Sequence, residues 1–487
     1  MTKKCVIIYS ENIMPKNIKG DCEMQYVNDK VENIKIAYIG GGSRGWAWGL
    51  MSDLAKAEDI SGEVYLYDID FEAAKNNEII GNRIRNVEGC KSVWEYKAVK
   101  TIGEALINAD FVIISILPAT FKEMESDVHT PEEYGIYQAV GDTVGPGGYI
   151  RALRTVPMFE EIALSIKEYC PKAWVINYTN PMTICVKALY NAFPEIKAFG
   201  CCHEVFGTQI LIKKMLEDDL GYENVDRSDI KVNVVGVNHF TWLTSAYYKG
   251  MDLFPEYKKF ADKNYYEGIN CDFGGHLNDC FTCFHRVKFD LFKRYGYIAA
   301  AGDRHLAEFC PGDWYLKSPE QVAEWKFGLT PVEWRWNDLK ERLAKSERLI
   351  NGEEEFVIKE TGEEGVEQIR AILGLRNLTT NVNLPNVGQI PNLPLGAVVE
   401  TNAVFSDDSV IPVMAGDIPK KIYPLISRVC GNQEIIAEAA KTRDLQLAFS
   451  AFVNDPLVTC NLKDARELFN TMVKNTSKYL GDYKIDA

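Results

Sequence analysis

The sequence predicts an α/β protein whose N-terminal part is a doubly wound parallel sheet. Three observations carry that prediction. Apolar runs of strand length alternate with helix-compatible segments from residue 34 to about 205. One run, FVIISI at 111–116, is apolar throughout, as a strand buried on both faces of a parallel sheet must be. A glycine cluster stands between the first strand and the first helix.

In chain order, residues 1–33 read as an extension whose one strand-like piece is CVIIY. IKIAYI (34–39) is a short β-type run, and GWAWGLMSDLAKAED after it suits a helix. EVYLYDID (63–70) is a second strand, followed by a charged helical stretch. YIRALRTVPMFEEIALSIKEYC (149–170) has helical spacing, with Pro157 expected to bend or restart it. AWVINYTNP (173–181) and AFGCCHE (198–204) are strand-then-turn units with the helical MTICVKALYNAF between them. VNVVGVNHFTWL (232–243) reads as one strand, and the next stretch of about 130 residues as mixed, aromatic-rich and mostly helical. Residues 381–401 hold too many Pro, Asn and Gly for a helix, and from about Pro419 the composition is helical again. The expected division is a nucleotide-binding domain over 34–205 and an α+β domain over 206–487 for substrate, metal and oligomerisation.

The chain has 487 residues, with 54 Lys and Arg against 69 Asp and Glu and a formal charge of −15. That balance argues against nucleic acid, whose affinity rests on neutralised phosphates, and against an anionic membrane surface. No run approaches the roughly 18 apolar residues of a membrane span, and the N-terminus has no apolar core long enough for a secretory leader. The 13 cysteines are odd in number and scattered, unlike a disulfide-stapled domain. A reduced, cytoplasmic protein is expected.

Gly40-Gly41-Gly42-Ser43-Arg44-Gly45 satisfies G-x-G-x-x-G between strand and helix, the fingerprint of a Rossmann-type dinucleotide site. Gly40 would make the tight turn, Gly42 would clear room for a pyrophosphate, and Gly45 would let the helix approach the strand. Asp68, at the end of the second strand, is placed for the ribose hydroxyls and favours NAD over NADP. A plain structural turn is the alternative reading.

Asn180 and Cys201-Cys202-His203-Glu204 follow successive strands, and His239 lies on the next one. Ligands gather at the carboxyl ends of parallel strands, so thiol, imidazoles, carboxylate and amide could converge there. One Cys and one His make a poor structural zinc site but suit an open site with room for substrate oxygens. Spacing equally allows Cys202 and His239 to be packing residues. In AAGDRHLAEF, Asp303, Arg304 and Glu308 could form a catalytic loop, or merely an N-cap and an i,i+4 pair. The glycine-dense GDTVGPGG (141–148), with Arg151 and Arg154 after it, could close over a ligand or be a long turn.

Together, IAYIGGGSRGW, GDTVGPGGYIRALRTVP, NYTNPM, GCCHEV, VNHFTWL and NLPNVGQIPNLPLGAVVE resemble glycoside hydrolase family 4, the NAD- and Mn-dependent glycosidases, from Ile34 onward. The resemblance implies a lactate/malate dehydrogenase-like Rossmann domain and a chain that uses NAD and Mn²⁺. Its Cys202-His203-Glu204-Val205 is the form associated with α-galacturonidases; α-glucuronidase, α-galactosidase and α-glucosidase are alternatives within the family. Cys202 and His239 are then the metal ligands, Asn180 contacts the sugar, His203 assists the leaving group, and Tyr297 or Asp303 is the base, with Asp303 preferred. The implied reaction is transient oxidation at sugar C3, Mn-assisted C2 deprotonation, 1,2-elimination, water addition and re-reduction, outside the usual two-carboxylate scheme. The family's habit also implies a homodimer or homotetramer. A uronate substrate needs only a local cation inside an acidic protein, and Mn²⁺ or Arg304 would serve. Outside the family, the competing readings are an NAD-dependent dehydrogenase of small hydroxy acids and a nucleotide sensor without chemistry.

Overall fold

The computed structural model describes residues 23–270 and 281–484; the CVIIY run lies outside them. Six strands form the parallel core: β2 (Lys30–Ile39), β3 (Ile60–Tyr67), β4 (Trp94–Val99), β5 (Phe111–Ile114), β6 (Trp174–Asn177) and β7 (Lys197–Gly200). Their order is β7-β6-β5-β2-β3-β4, the doubly wound arrangement, with the switch point between β2 and β5. Alternation explains the apolar runs. Phe111 and Ile113 of β5 enter one core, whereas Val112 and Ile114 enter another on the opposite face. β2 starts earlier than the run 34–39 suggests, because a short β1 (Gln25–Val27) pairs antiparallel with its first residues.

The tract at 381–401 becomes the end of β12 (Leu378–Pro385), a loop, and the start of β13 (Val398–Ser406), which hairpins into β14 (Ser409–Pro412). These strands extend the parallel sheet antiparallel beyond β7, through the pairing of Asn383 with Gly200. Residues 206–487 therefore supply part of the first sheet.

The second sheet is antiparallel: β8 (Lys231–Val237), β9 (Phe240–Tyr248), β10 (Met251–Asp252) and β11 (Ile298–Ala299). The run read as a single strand over 232–243 is a tight hairpin, because Val237 pairs with Phe240 and His239 adopts a left-handed φ of 63° between them. That turn puts His239 at a tip instead of in a strand. The helix Gly145–Tyr169 runs unbroken through Pro157 and starts inside the glycine loop. No described helix is long and apolar enough to cross a membrane, and the cysteines among the described residues are all free.

Candidate active site

The glycine turn lies at the switch point. Gly40 has φ +95°, and a Cβ there would sit 2.0 Å from the carbonyl oxygen of Ser115 at the end of β5. Two of the three expected glycine roles move. A Cβ on Gly42 would strike Asp68 Oδ2 and Ala73, and one on Gly45 would strike the Arg342 guanidinium, which also donates to the Arg44 carbonyl. Close approach to the neighbouring strand belongs to Gly41, whose Cβ would lie 2.8 Å from the Leu66 backbone. Asp68 accepts the amides of Gly42 and Asp70, both at 2.9 Å, and burial raises its pKa. Ser43 accepts the amide of Trp46 at the head of the first helix, Trp46–Lys56. Asn77, hidden in the charged helical stretch, donates to the carbonyls of Gly41 (2.7 Å) and Ser43 (2.9 Å). Nothing in its local pattern marks it. The turn is thus built from both sides, and its missing Cβ atoms let it pack against Ser115, Leu66, Asp68 and Arg342 just before a helix N-terminus, whose free N–H groups suit a dinucleotide phosphate.

The second half of the site gathers at the carboxyl ends of β6 and β7 and at the tip of the β8–β9 hairpin. Cys202 is buried. Burial, then Glu400 and Glu204, push its thiol well above the usual range. His239 is buried, its Nδ1 lies 2.8 Å from Thr143 Oγ1, and its ring stacks on His305 with centroids 3.8 Å apart. Burial, together with the neighbouring His305, lowers its pKa to about 3, so the ring is neutral. Glu204 opens the helix Glu204–Asp218, accepts the amide of Gly302 at 2.6 Å and lies 3.4 Å from His305 Nε2. Burial opposes both charges, but the pairing holds the Glu204 carboxyl far below its ordinary value and raises His305. Glu400 on β13 is buried among the amides of Asn238 (3.1 Å), Asn381 (2.7 Å) and Asn383 (3.2 Å). Burial carries it to about 7 despite those donors.

His203 is half exposed and hydrogen-bonds Glu363 through Nδ1 at 2.8 Å. Desolvation works against its charge, but the Glu363 hydrogen bond and carboxylate lift it to about 9. Asn180 has a buried Oδ1 with no partner, and its carbonyl accepts Arg151 Nε at 3.0 Å. Cys202 and the neutral His239 both have Glu204 as an electrostatic neighbour, and a thiol and an imidazole near the carboxylates Glu204 and Glu400 are donor chemistry that a divalent cation fits.

The other expected residues are placed differently. Strand β11 pairs Ala299 with Trp242, so Tyr297 falls opposite Thr244, roughly 13 Å along the strand from Phe240, the neighbour of His239. Asp303 is completely buried, and its Oδ1 accepts the Lys288 amide at the start of the helix Arg286–Tyr295. It therefore caps that helix instead of its own, Asp303–Glu308, whose N-cap is Gly302. Burial raises it to about 6. Arg304 donates Nη2 to the Ala139 carbonyl and to Thr330 Oγ1, and its guanidinium lies over Phe281. Glu308 accepts the amides of Val140 (2.6 Å) and Gly141 (2.9 Å). Arg304 and Glu308 thus both grip the 139–141 segment. Periodicity could not reveal what Thr143, Glu308 and Glu400 reach, because His239, Val140 and Asn238 lie far from them in the chain.

A doubly wound sheet with a glycine turn at its switch point is the architecture of a dinucleotide-binding enzyme. Residues 35–218 match Family 4 glycosyl hydrolase, and residues 234–458 match the Family 4 glycosyl hydrolase C-terminal domain. An alpha-galacturonidase of Thermoanaerobacterium saccharolyticum is 63% identical over 465 residues, 95% of this chain and 100% of the relative. One from Bacillus subtilis is 53% identical over 444 residues, 91% and 98% of the two chains. A 6-phospho-alpha-glucosidase from gut microorganisms, solved in complex with NAD and Mn²⁺, shares the fold at TM-score 0.78 and 20% identity, covering 93% of this chain and 100% of that one. The chain belongs to family 4 of the glycosyl hydrolases.

Proposed function

We propose that the protein is an α-galacturonidase that removes terminal α-D-galacturonate from short pectin-derived oligouronides, with NAD and Mn²⁺ as cofactors. The observation that carries this reading is the placement of an Asn180 Oδ1 without a partner, Cys202 and the neutral His239 at the ends of β6 and β7 and the tip of the β8–β9 hairpin, in a chain 63% identical to an alpha-galacturonidase along 95% of its length. When bound, NAD supplies reversible oxidation of the sugar ring and the metal supplies a Lewis acid for its hydroxyls.

Cys202 and His239 would hold the metal. The Gly40–Gly45 turn, with Ser43, Arg44 and Asp68, would hold the dinucleotide. Asn180 turns its amide to a sugar hydroxyl. His203, with Nδ1 committed to Glu363, keeps a proton at Nε2 for the departing alcohol. Of the two residues expected as base, we keep Asp303 first, because it opens the helix whose His305 stacks on His239, with Tyr297 the alternative. Two buried guanidiniums, Arg304 and Arg151, border the site and offer local positive charge to a uronate within a chain of net charge −15. The same reading makes the protein a cytoplasmic homodimer or homotetramer.

Hydrolysis of p-nitrophenyl α-galacturonide with NAD, Mn²⁺ and a thiol reductant tests the proposal, with α-glucuronide and α-galactoside as competitors. Nitrophenol release from the galacturonide, without matching growth of NADH absorbance, is expected. NADH rising in step with substrate loss would instead identify a dehydrogenase.

A further inference from the structure

The segment GDTVGPGG carries two side chains into the cleft that the reaction scheme leaves without a task. Thr143 Oγ1 donates to Asp142 Oδ1 at 2.8 Å and lies 2.8 Å from His239 Nδ1. A threonine hydroxyl has one hydrogen. With that hydrogen on the carboxylate, Oγ1 can only accept, so the proton between Thr143 and His239 resides on Nδ1. We propose that Asp142 and Thr143 are positioning residues that set the tautomer of His239, leaving the Nε2 lone pair for the metal.

The surroundings are built to hold this relay. The helix Gly145–Tyr169 brings Gly148 against the loop so closely that a Cβ there would lie 2.5 Å from the carbonyl carbon of Thr143. Glu308 accepts the amides of Val140 and Gly141 just before the pair. Burial opposes the charge of Asp142, but Arg151, on the helix Gly145–Tyr169, outweighs it together with the neighbouring imidazoles and holds the carboxyl below its ordinary value. On the open face of the imidazole the His305 ring stacks at 27° to it. The hydroxyl engages one ring nitrogen and the stack fixes the ring plane, which leaves Nε2 as the nitrogen available to a metal. Outer-shell partners of this kind orient metal-binding imidazoles and raise their basicity.

The inference rests on the reading of His239 as a metal ligand, and the experiment separates the two. Mn²⁺ binding to the full-length protein with NAD present is followed by the electron paramagnetic resonance signal of free Mn²⁺, alongside NAD affinity by fluorescence. Thr143→Val is expected to weaken Mn²⁺ binding by about 10- to 100-fold, with NAD affinity within about twofold of wild type. Thr143→Ser, which restores the hydroxyl, should recover most of that loss. Asp142→Ala frees the Thr143 hydrogen to point at Nδ1 and should weaken Mn²⁺ in the same direction, which keeps the test alive if Thr143→Val fails to fold. Cys202→Ser is the control. Wild-type Mn²⁺ affinity in Thr143→Val and Asp142→Ala, with binding lost in Cys202→Ser, overturns the relay and leaves the metal site standing. Undiminished binding in Cys202→Ser overturns the metal site and the relay with it.

Discussion

Glu308 offers a test of the site's electrostatics that does not depend on turnover. Its carboxyl is completely buried, Oε1 accepts the amides of Val140 and Gly141, and Oε2 has no partner. Burial lifts the group from 4.5 to about 7. A carboxyl whose folded value lies above its unfolded one favours folding in its protonated form. That stabilisation is full below pH 4.5 and is lost as pH rises through about 7. The gap amounts to about 3 kcal/mol in total, of which about 2.5 kcal/mol falls between pH 5 and pH 8. Glu308→Gln keeps an oxygen for the two amides and cannot ionise. Asp303, Glu400 and Asp455 have raised values with the same sign, so the informative quantity is wild type minus variant, in which they cancel. Urea unfolding followed by tryptophan fluorescence, without added metal, should show that difference falling by about 2.5 kcal/mol from pH 5 to pH 8. A difference constant to within about 1 kcal/mol across that range would refute the buried, partly unpaired carboxylate described above.

Two further predictions address the two halves of the cleft. Gly40→Ala must place a Cβ 2.0 Å from the Ser115 carbonyl at a left-handed φ, at a combined cost of about 3 kcal/mol from strain and overpacking. The urea midpoint should fall accordingly, NAD affinity should drop at least about tenfold, and retention of wild-type NAD affinity would contradict the switch-point assignment. Glu363→Gln removes the carboxylate that lifts His203 to about 9. If protonated His203 assists the leaving group, activity should be lost at lower pH in the variant, its alkaline limb moving toward the ordinary imidazole value of 6.5. An unmoved alkaline limb would exclude His203 from that role.

Local sequence sufficed for the parallel sheet because each of its strands carries its own signal. Phe111 to Ile114 must be apolar at every position when both faces are covered, and a glycine with φ +95° at the end of β2 leaves its mark in a single residue. The family motifs pointed to Cys202, His239 and Asn180 as candidates, the first and last of them just after a strand. The hairpin at Asn238-His239 was not legible, because apolar residues on both sides of the turn imitate one longer strand. Tertiary structure decided what those residues face. Thr143 reaches His239 across 96 positions, Glu308 reaches Gly141 across 167 and Glu363 reaches His203 across 160. β12 to β14 join a sheet that begins some 350 residues earlier, at β2. Periodicity records which face of an element is buried, over a window of one or two turns. It carries no record of which buried surface that face will meet, so the sequence by itself determined the sheet, the glycine turn and the candidates for the reactive groups. The packed chain decided their burial, their electrostatic surroundings and their partners.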